Sequence, residues 1–423
     1  MDKLKFKKIK IFPWLFFEAS LSLLLFSQFS LAQKPTLAFK NYSVEDGLSH
    51  NYIRAILQDA EGFIWIATED GLNKFDGYTF HAYRSSTEDS TSISDHPIIA
   101  LELDSEQNLW IGTWGGGVFV YNKKQDNFRR IIQGQEKSRG IHSNLIYDIF
   151  KDSRGRMWIG TGGMGLEMYD PKQQKFFHYK HNPEDASSLS HNRVMSITEG
   201  ENGVLWLGTL GGGLNRFDPE TAKFTKFLHE EGNAYSLSGN EVFKVFFDSK
   251  QRLWAGTWGS GLNLMDKDTH QFTRFKHDPD DPFGLSNDEV WCITEAKDGR
   301  IWIGTDHGLA LYNEEKKNFY VFEHDPFDPK SLSGNPIKSL YSDARGRLWV
   351  GTYNKGISIF DKQMNLFEHY YKKFNQNSVA DNNVSAFLNL NDRHVLIGTD
   401  GQGLSLFDIE NKWFTHYQHD KRP

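Results

Sequence analysis

The residues of this chain best equipped for recognition chemistry sit just beyond a repeated Gly-Thr pair. That next position reads Trp114, Gly162, Leu210, Trp258, Asp306, Tyr353 and Asp400, with Glu69 after an Ala-Thr variant of the pair. Exposed rings such as Trp114, Trp258 and Tyr353 stack on the C–H faces of sugars, while Glu69, Asp306, His307 and Asp400 exchange hydrogen bonds with hydroxyl groups. A second variable position follows a repeated Val or Ile: Arg54, Ile99, Tyr147, Met195, Phe243, Trp291, Lys338 and Ser385. Trp291 adds a ring, and Arg54 and Lys338 are candidates to meet an acidic sugar. A lone cation in a polar channel is more often simply solvated.

The same loops supply the carboxylates and imidazole of an enzyme: Glu69, Asp70, Asp306, His307 and Asp400. A glycosidase needs two carboxyls at a set separation, one with a raised pKa, and the sequence does not place them. No nucleophile motif, phosphate loop or metal-spaced histidine cluster stands out, and loops such as His324-Asp-Pro-Phe-Asp-Pro match no calcium loop. The expectation is a binding protein without catalytic residues, cofactor or metal.

What must hold these positions is a repeat. A hydrophobic residue and Trp, Gly-Thr, a Gly-rich loop, and an aromatic residue near Asp return at intervals of 45 to 48 residues, centred on Trp65, Trp110, Trp158, Trp206, Trp254, Trp302, Trp349 and, in the eighth copy, Leu396. Each copy is short, alternating and rich in β-branched and aromatic residues. In the third, Ile146 to Phe150, Arg156 to Thr161, Gly165 to Tyr169 and Lys175 to Tyr179 read as four strands, with Asp152-Ser-Arg-Gly155 as a tight turn. Four antiparallel strands per repeat make the blade of an all-β propeller. A Trp needed by nearly every copy is needed for packing between blades, and the Gly after it for close backbone approach within the sheet. Asn51, Asn144, Asn192, Asn240 and Asn335 recur before the first strand, as caps of local backbone groups.

The chain begins out of phase with its repeat. Phe39-Lys-Asn-Tyr42 matches an outer strand without a blade of its own, so in a ring it completes the last blade. The count then leaves one outer strand over. Either eight blades close with a spare strand, or seven close and residues 367–420 open something else. The chain's end at Pro423, within a loop that elsewhere leads to another blade, is the mark expected of a truncated product.

Residues 1–32 read as an export signal. Five Lys precede a mostly apolar run from Ile11 to Phe26, and Ser30-Leu31-Ala32 offers small residues for cleavage, leaving 33–423 as the propeller region of a periplasmic or secreted protein. An uncleaved anchor is the alternative, opposed by Glu18 inside a run short for a span. The net charge of −7 moves to about −10 once that basic segment goes, which argues against nucleic acid as a partner. A single Cys292 forms no internal disulfide, so packing carries the stability.

The opening Tyr42-Ser-Val-Glu-Asp-Gly-Leu48-Ser, followed by Asp59-Ala-Glu-Gly-Phe-Ile-Trp65-Ile and Gly71-Leu-Asn-Lys-Phe75-Asp76-Gly, resembles the propeller repeats of bacterial two-component regulators, in particular the periplasmic sensor regions of hybrid systems in Bacteroidetes. The resemblance runs from Leu37 to Tyr417. It implies two successive propellers, a small β-domain, a membrane span and a cytoplasmic histidine kinase, with an oligosaccharide or other small ligand as the signal. It favours seven blades plus the start of a second propeller. The partners expected are therefore such a ligand and the rest of a membrane receptor; a secreted lyase or glycosidase and a protein-binding scaffold are the alternatives.

Overall fold

The computed structural model describes residues 34–93, 96–131, 140–363, 370–373 and 377–418; the expected export signal lies outside them. Among the described residues no helix is long and apolar enough to cross a membrane. Eight antiparallel sheets of four strands each follow the repeat. In the third repeat the strands are Ile146–Lys151, Met157–Thr161, Leu166–Asp170 and Lys175–Tyr179, each within a residue or so of the sequence reading. The turn between the first two is held by one side chain: Asp152 Oδ1 accepts the N–H groups of Arg154 and Arg156 at 3.0 and 2.9 Å. Gly155 closes it at φ +81°, where a Cβ would be strained.

Seven of the sheets close into a ring. Phe39–Tyr42 pairs antiparallel with Ile357–Phe360, in the register Phe39 to Phe360 and Tyr42 to Ile357, so the first strand completes the seventh blade. Ser339 Oγ on the innermost strand of that blade donates to Ile53 O on the innermost strand of the first, at 3.4 Å. The eighth sheet, spanning residues 384–417, stands outside the ring with a small core of its own: Val379, Ile397, Phe407 and Phe414.

Packing between blades explains the repeated residues. Each motif Trp enters the apolar cluster of the next blade, Trp158 among Val194, Ile197 and Leu205, and Trp349 among Ile53, Ile56 and Ile64 across the closure. The Gly after each Trp serves that same junction and not its own sheet alone. A Cβ on Gly160 would lie 2.7 Å from Val194 O in the next blade, and one on Gly351 would lie 2.6 Å from Ile53 Cγ2. The Asn caps work across their loops: Asn51, Asn192, Asn240 and Asn335 accept the N–H groups of Val44, His181, His229 and His324.

The turn Asp does one further job. Its second carboxylate oxygen takes the indole N–H of the Trp, as from Asp152 to Trp158 at 2.8 Å and from Asp343 to Trp349 at 2.9 Å. The sixth blade has Ala296 at this place, and the Nε1 of Trp302 is buried without a partner among the described residues. Ala296→Asp is therefore expected to stabilise the protein by about 1 kcal/mol, read as a higher urea midpoint at unchanged slope. A loss of stability would show that the Asp is tolerated only where its whole turn has adapted to it.

Candidate functional site

In every repeat the innermost strand carries a bulge at one place, its register shifting between Ile53 and Ala55, Val242 and Lys244, Val290 and Cys292, or Ile337 and Ser339. The bulged residues are Arg54, Phe243, Trp291 and Lys338. A bulged residue is released from the ladder and its side chain is re-aimed, so it is free to vary where its neighbours are not. The loop after Thr68, Thr113, Thr257, Thr305 or Thr352 begins at the same end of the blade, with the Thr hydroxyl bonded back to a Gly carbonyl, as from Thr257 Oγ1 to Gly261 O at 2.7 Å. The two variable positions thus converge on one end of the ring.

There the side chains join into one arc across blades five, six, seven, one and two. Trp258 meets Phe243 edge-on at 5.7 Å between ring centres, and Phe243 meets Trp291 at 5.1 Å and 85°. Lys338 Nζ lies 3.5 Å over the Trp291 ring and 5.6 Å from that of Tyr353. Tyr353 packs on Tyr52 at 4.5 Å; Arg54 caps the Tyr52 ring at 4.1 Å and faces Trp114 at 5.6 Å. Trp258, Tyr353 and Trp114 are 50, 47 and 46% exposed, so half of each ring remains open. Blades three and four interrupt the arc: Gly162 and Leu210 replace the loop rings, and the bulged Met195 is buried.

Neither cation is alone. Arg54 is paired with Glu69 at 2.7 Å, and Lys338 with Asp306 at 2.8 Å. Burial holds the Lys338 ammonium below the usual lysine range, with Asp306 opposing it, and burial raises the Tyr52 hydroxyl. The Nε1 of Trp291 is buried with no hydrogen-bond partner among the described residues, leaving a donor unused beside the arc. Deeper in the ring, burial raises the Asp148 carboxyl and pushes Cys292 up to about 12, leaving it an inert thiol.

Of the sequence candidates, Trp114, Trp258, Tyr353, Glu69, Asp306, Arg54, Trp291 and Lys338 fall in the arc. His307 is at its rim, 3.7 Å from Glu323. Asp400 belongs to the eighth sheet, its N–H bonded to Asn383 O, and is not part of the arc. Tyr52 and Phe243 belong to it without having been singled out. Tyr52 carried a signal of the same kind, since its position also varies between copies: Tyr52, Pro97, Leu145, Arg193, Glu241, Glu289, Pro336. A groove of about 1080 Å³ at the other end of the blades is lined by Asp59, Trp65, Asp104 and Trp110, members of the repeated packing frame.

Comparison with known proteins agrees with this architecture. Six segments, residues 47–70, 92–115, 140–163, 188–211, 284–307 and 331–354, match the model of the two component regulator propeller. The extracellular domain of a putative hybrid two component system from B. thetaiotaomicron superposes with a TM-score of 0.74 and 26% identity, over 90% of this chain and 49% of that one. A second extracellular domain from that organism, of a putative one component system, gives 0.61 and 20%, over 90% and 54%. The chain thus spans about half the length of these solved relatives. Histidine kinase P4 of Formosa agariphila is 49% identical over 76 residues, 17% of this chain and 6% of that protein. Virginiamycin B lyase from Staphylococcus aureus, at 14% identity and a TM-score of 0.55 over 77% of this chain and 98% of that one, shares the fold alone.

Proposed function

Because this chain carries two-component regulator propeller repeats, we propose that it is the ligand-recognising part of an exported sensor, and that the arc binds an oligosaccharide. The observation that carries the reading is the unbroken run Trp258, Phe243, Trp291, Lys338, Tyr353, Tyr52, Arg54, Trp114 around one end of the ring. Half-exposed rings offer stacking surface to sugar C–H faces, and Glu69 and Asp306 offer acceptors to hydroxyls. Arg54 and Lys338 already have carboxylate partners, which favours a neutral chain over a polyanion. Phosphotransfer would belong to other parts of such a receptor.

The eighth sheet fits the first blade of a second propeller. Its innermost strand Val384–Asn389 is exposed throughout, with Phe387 70% exposed, while Ile56 at the equivalent place in the first blade is 7% exposed. In the first blade that surface receives Trp349 of the blade that closes the ring, so on the eighth sheet it is the surface that the closing blade of a second ring would cover.

Calorimetric titration of the purified chain with neutral and uronic-acid oligosaccharides tests the arc. A neutral oligosaccharide is expected to bind saturably and without turnover, and Trp258→Ala to weaken it by about 10- to 100-fold. Depletion of the sugar would point to an enzyme. Binding that survives Trp258→Ala unchanged, or no binding by any glycan, would sink the reading.

A further inference from the structure

The third blade departs from four of its siblings at a place where those four share a clasp. In blades one, four and five, a Ser just before the first strand donates its N–H to an Asn on the third strand: Ser49 to Asn73, Ser190 to Asn215 and Ser238 to Asn263, at 2.9 to 3.0 Å. The Asn amide donates back to the Ser hydroxyl at 2.7 to 2.8 Å, so each pair is a closed, neutral clasp. The seventh blade makes the same clasp from Ser333 and Ser358. In the third blade the two residues are His142 and Glu167, and the backbone bond persists, His142 N–H to Glu167 Oε1 at 2.7 Å. Directly opposite Glu167, on the outer strand, stands His178.

These substitutions are more than a clasp needs. Glu167 is wholly buried, and its Oε2 has no hydrogen-bond partner among the described residues. The two imidazoles are stacked with centres 3.6 Å apart and planes within 16°. Glu167 Oε1 is 3.5 Å from His178 Nδ1 and 3.9 Å from His142 Nδ1, and the ligand atoms of all three residues lie within 4.8 Å of one another. Ligands around a tetrahedral zinc at roughly 2.0–2.2 Å are about 3.3–3.6 Å apart, so a closure of well under 1 Å brings Glu167 Oε1 to ligand spacing from each imidazole.

We propose that His142, Glu167 and His178 form a binding site for a borderline divalent transition-metal ion, zinc first, that clamps the entry loop of the third blade to its middle and outer strands. Two imidazole nitrogens and one carboxylate oxygen suit zinc and leave a fourth position for water. A cation also answers the buried carboxylate: burial pushes Glu167 up to about 7, the penalty that an ion beside it would remove. The His142 side chain is 24% exposed and gives an ion its way in. The site is separate from the glycan reading and stands or falls without it.

The other blades supply the control. His142→Ser with Glu167→Asn rebuilds the clasp of blades one, four and five, and so should keep the fold. The full chain, stripped with a chelator, is titrated with Zn²⁺ alone and followed by calorimetry and thermal melting, with Co²⁺ as a spectroscopic stand-in. One equivalent is expected to bind, to raise the melting temperature and, as Co²⁺, to show the visible bands of a tetrahedral centre. In the double variant affinity is expected to fall by about 100-fold or more, beyond the 10–100-fold typical of losing an outer-sphere partner. Should that variant fail to fold, the near-isosteric Glu167→Gln carries the same readout. Absence of a stoichiometric site, or equal Zn²⁺ affinity in parent and variant, overturns the proposal.

Discussion

Asp152→Ala is expected to cost about 3–5 kcal/mol of unfolding free energy, the range for removing one partner of a buried ion pair. The carboxylate is 3% exposed and holds four donors: the N–H groups of Arg154 and Arg156 through one oxygen, Arg156 Nε at 2.6 Å and Trp158 Nε1 at 2.8 Å through the other. Arg156 also lies over the Trp158 ring, 5.1 Å from its centre. Alanine would open the turn, strand a guanidinium whose side chain is 15% exposed, and leave an indole N–H unpaired within the neighbouring blade. Asp152→Asn, which keeps an acceptor for the backbone, should lose clearly less. Equilibrium urea unfolding of the two variants decides it, and equal losses would mean that the charge contributes nothing beyond the turn. Ala296→Asp in the sixth blade is the reciprocal change and should move the other way.

The blade frame was legible in the sequence because packing chemistry is local and repeated. Asp152, Trp158 and Gly160 lie within nine residues of one another, and the same spacing returns elsewhere. The number of blades was not legible in this way, since the eighth repeat carries the same strands as the seventh. What separates them is which blade the first strand completes: its pattern marks it as an outer strand for either, and the pairing of Phe39 with Phe360 selects the seventh. The site divided along the same line. Bulged and loop-head residues stood out as variable inside a constant frame, so Arg54, Trp114, Trp258 and Trp291 could be named. Tyr52 became part of the arc only through Tyr353, on the far side of the closure. His142, Glu167 and His178 stayed hidden for a related reason: strand pairing brings them together, and no metal-ligand spacing along the chain records it.

Closure of the ring is where the second large effect is expected. A chain beginning at Ser43 keeps all seven inner triplets but leaves the strand Ile357–Phe360 as an open edge. It loses the Phe39 ring, packed 6.1 Å from Phe360, together with the bonds from Phe39 N–H to Lys330 O at 2.8 Å and from Asn41 Nδ2 to Ser331 O at 3.0 Å. With roughly 2–3 kcal/mol for the ring and about 1 kcal/mol for each hydrogen bond, the penalty is on the order of 5 kcal/mol. The exposed edge adds a second consequence, because unpaired strand groups next to Ile357 and Ile359 are a template for association with other chains. The truncated chain is therefore expected to melt well below its parent and to elute as oligomers in size-exclusion chromatography. A peptide of residues 36–46 added in trans should restore the parent's elution volume by taking the vacant place in the seventh blade. A truncated chain that keeps the parent's elution volume and melting temperature would show that the contact of Trp349 with Phe75 and the first blade suffices to close the ring without the shared strand.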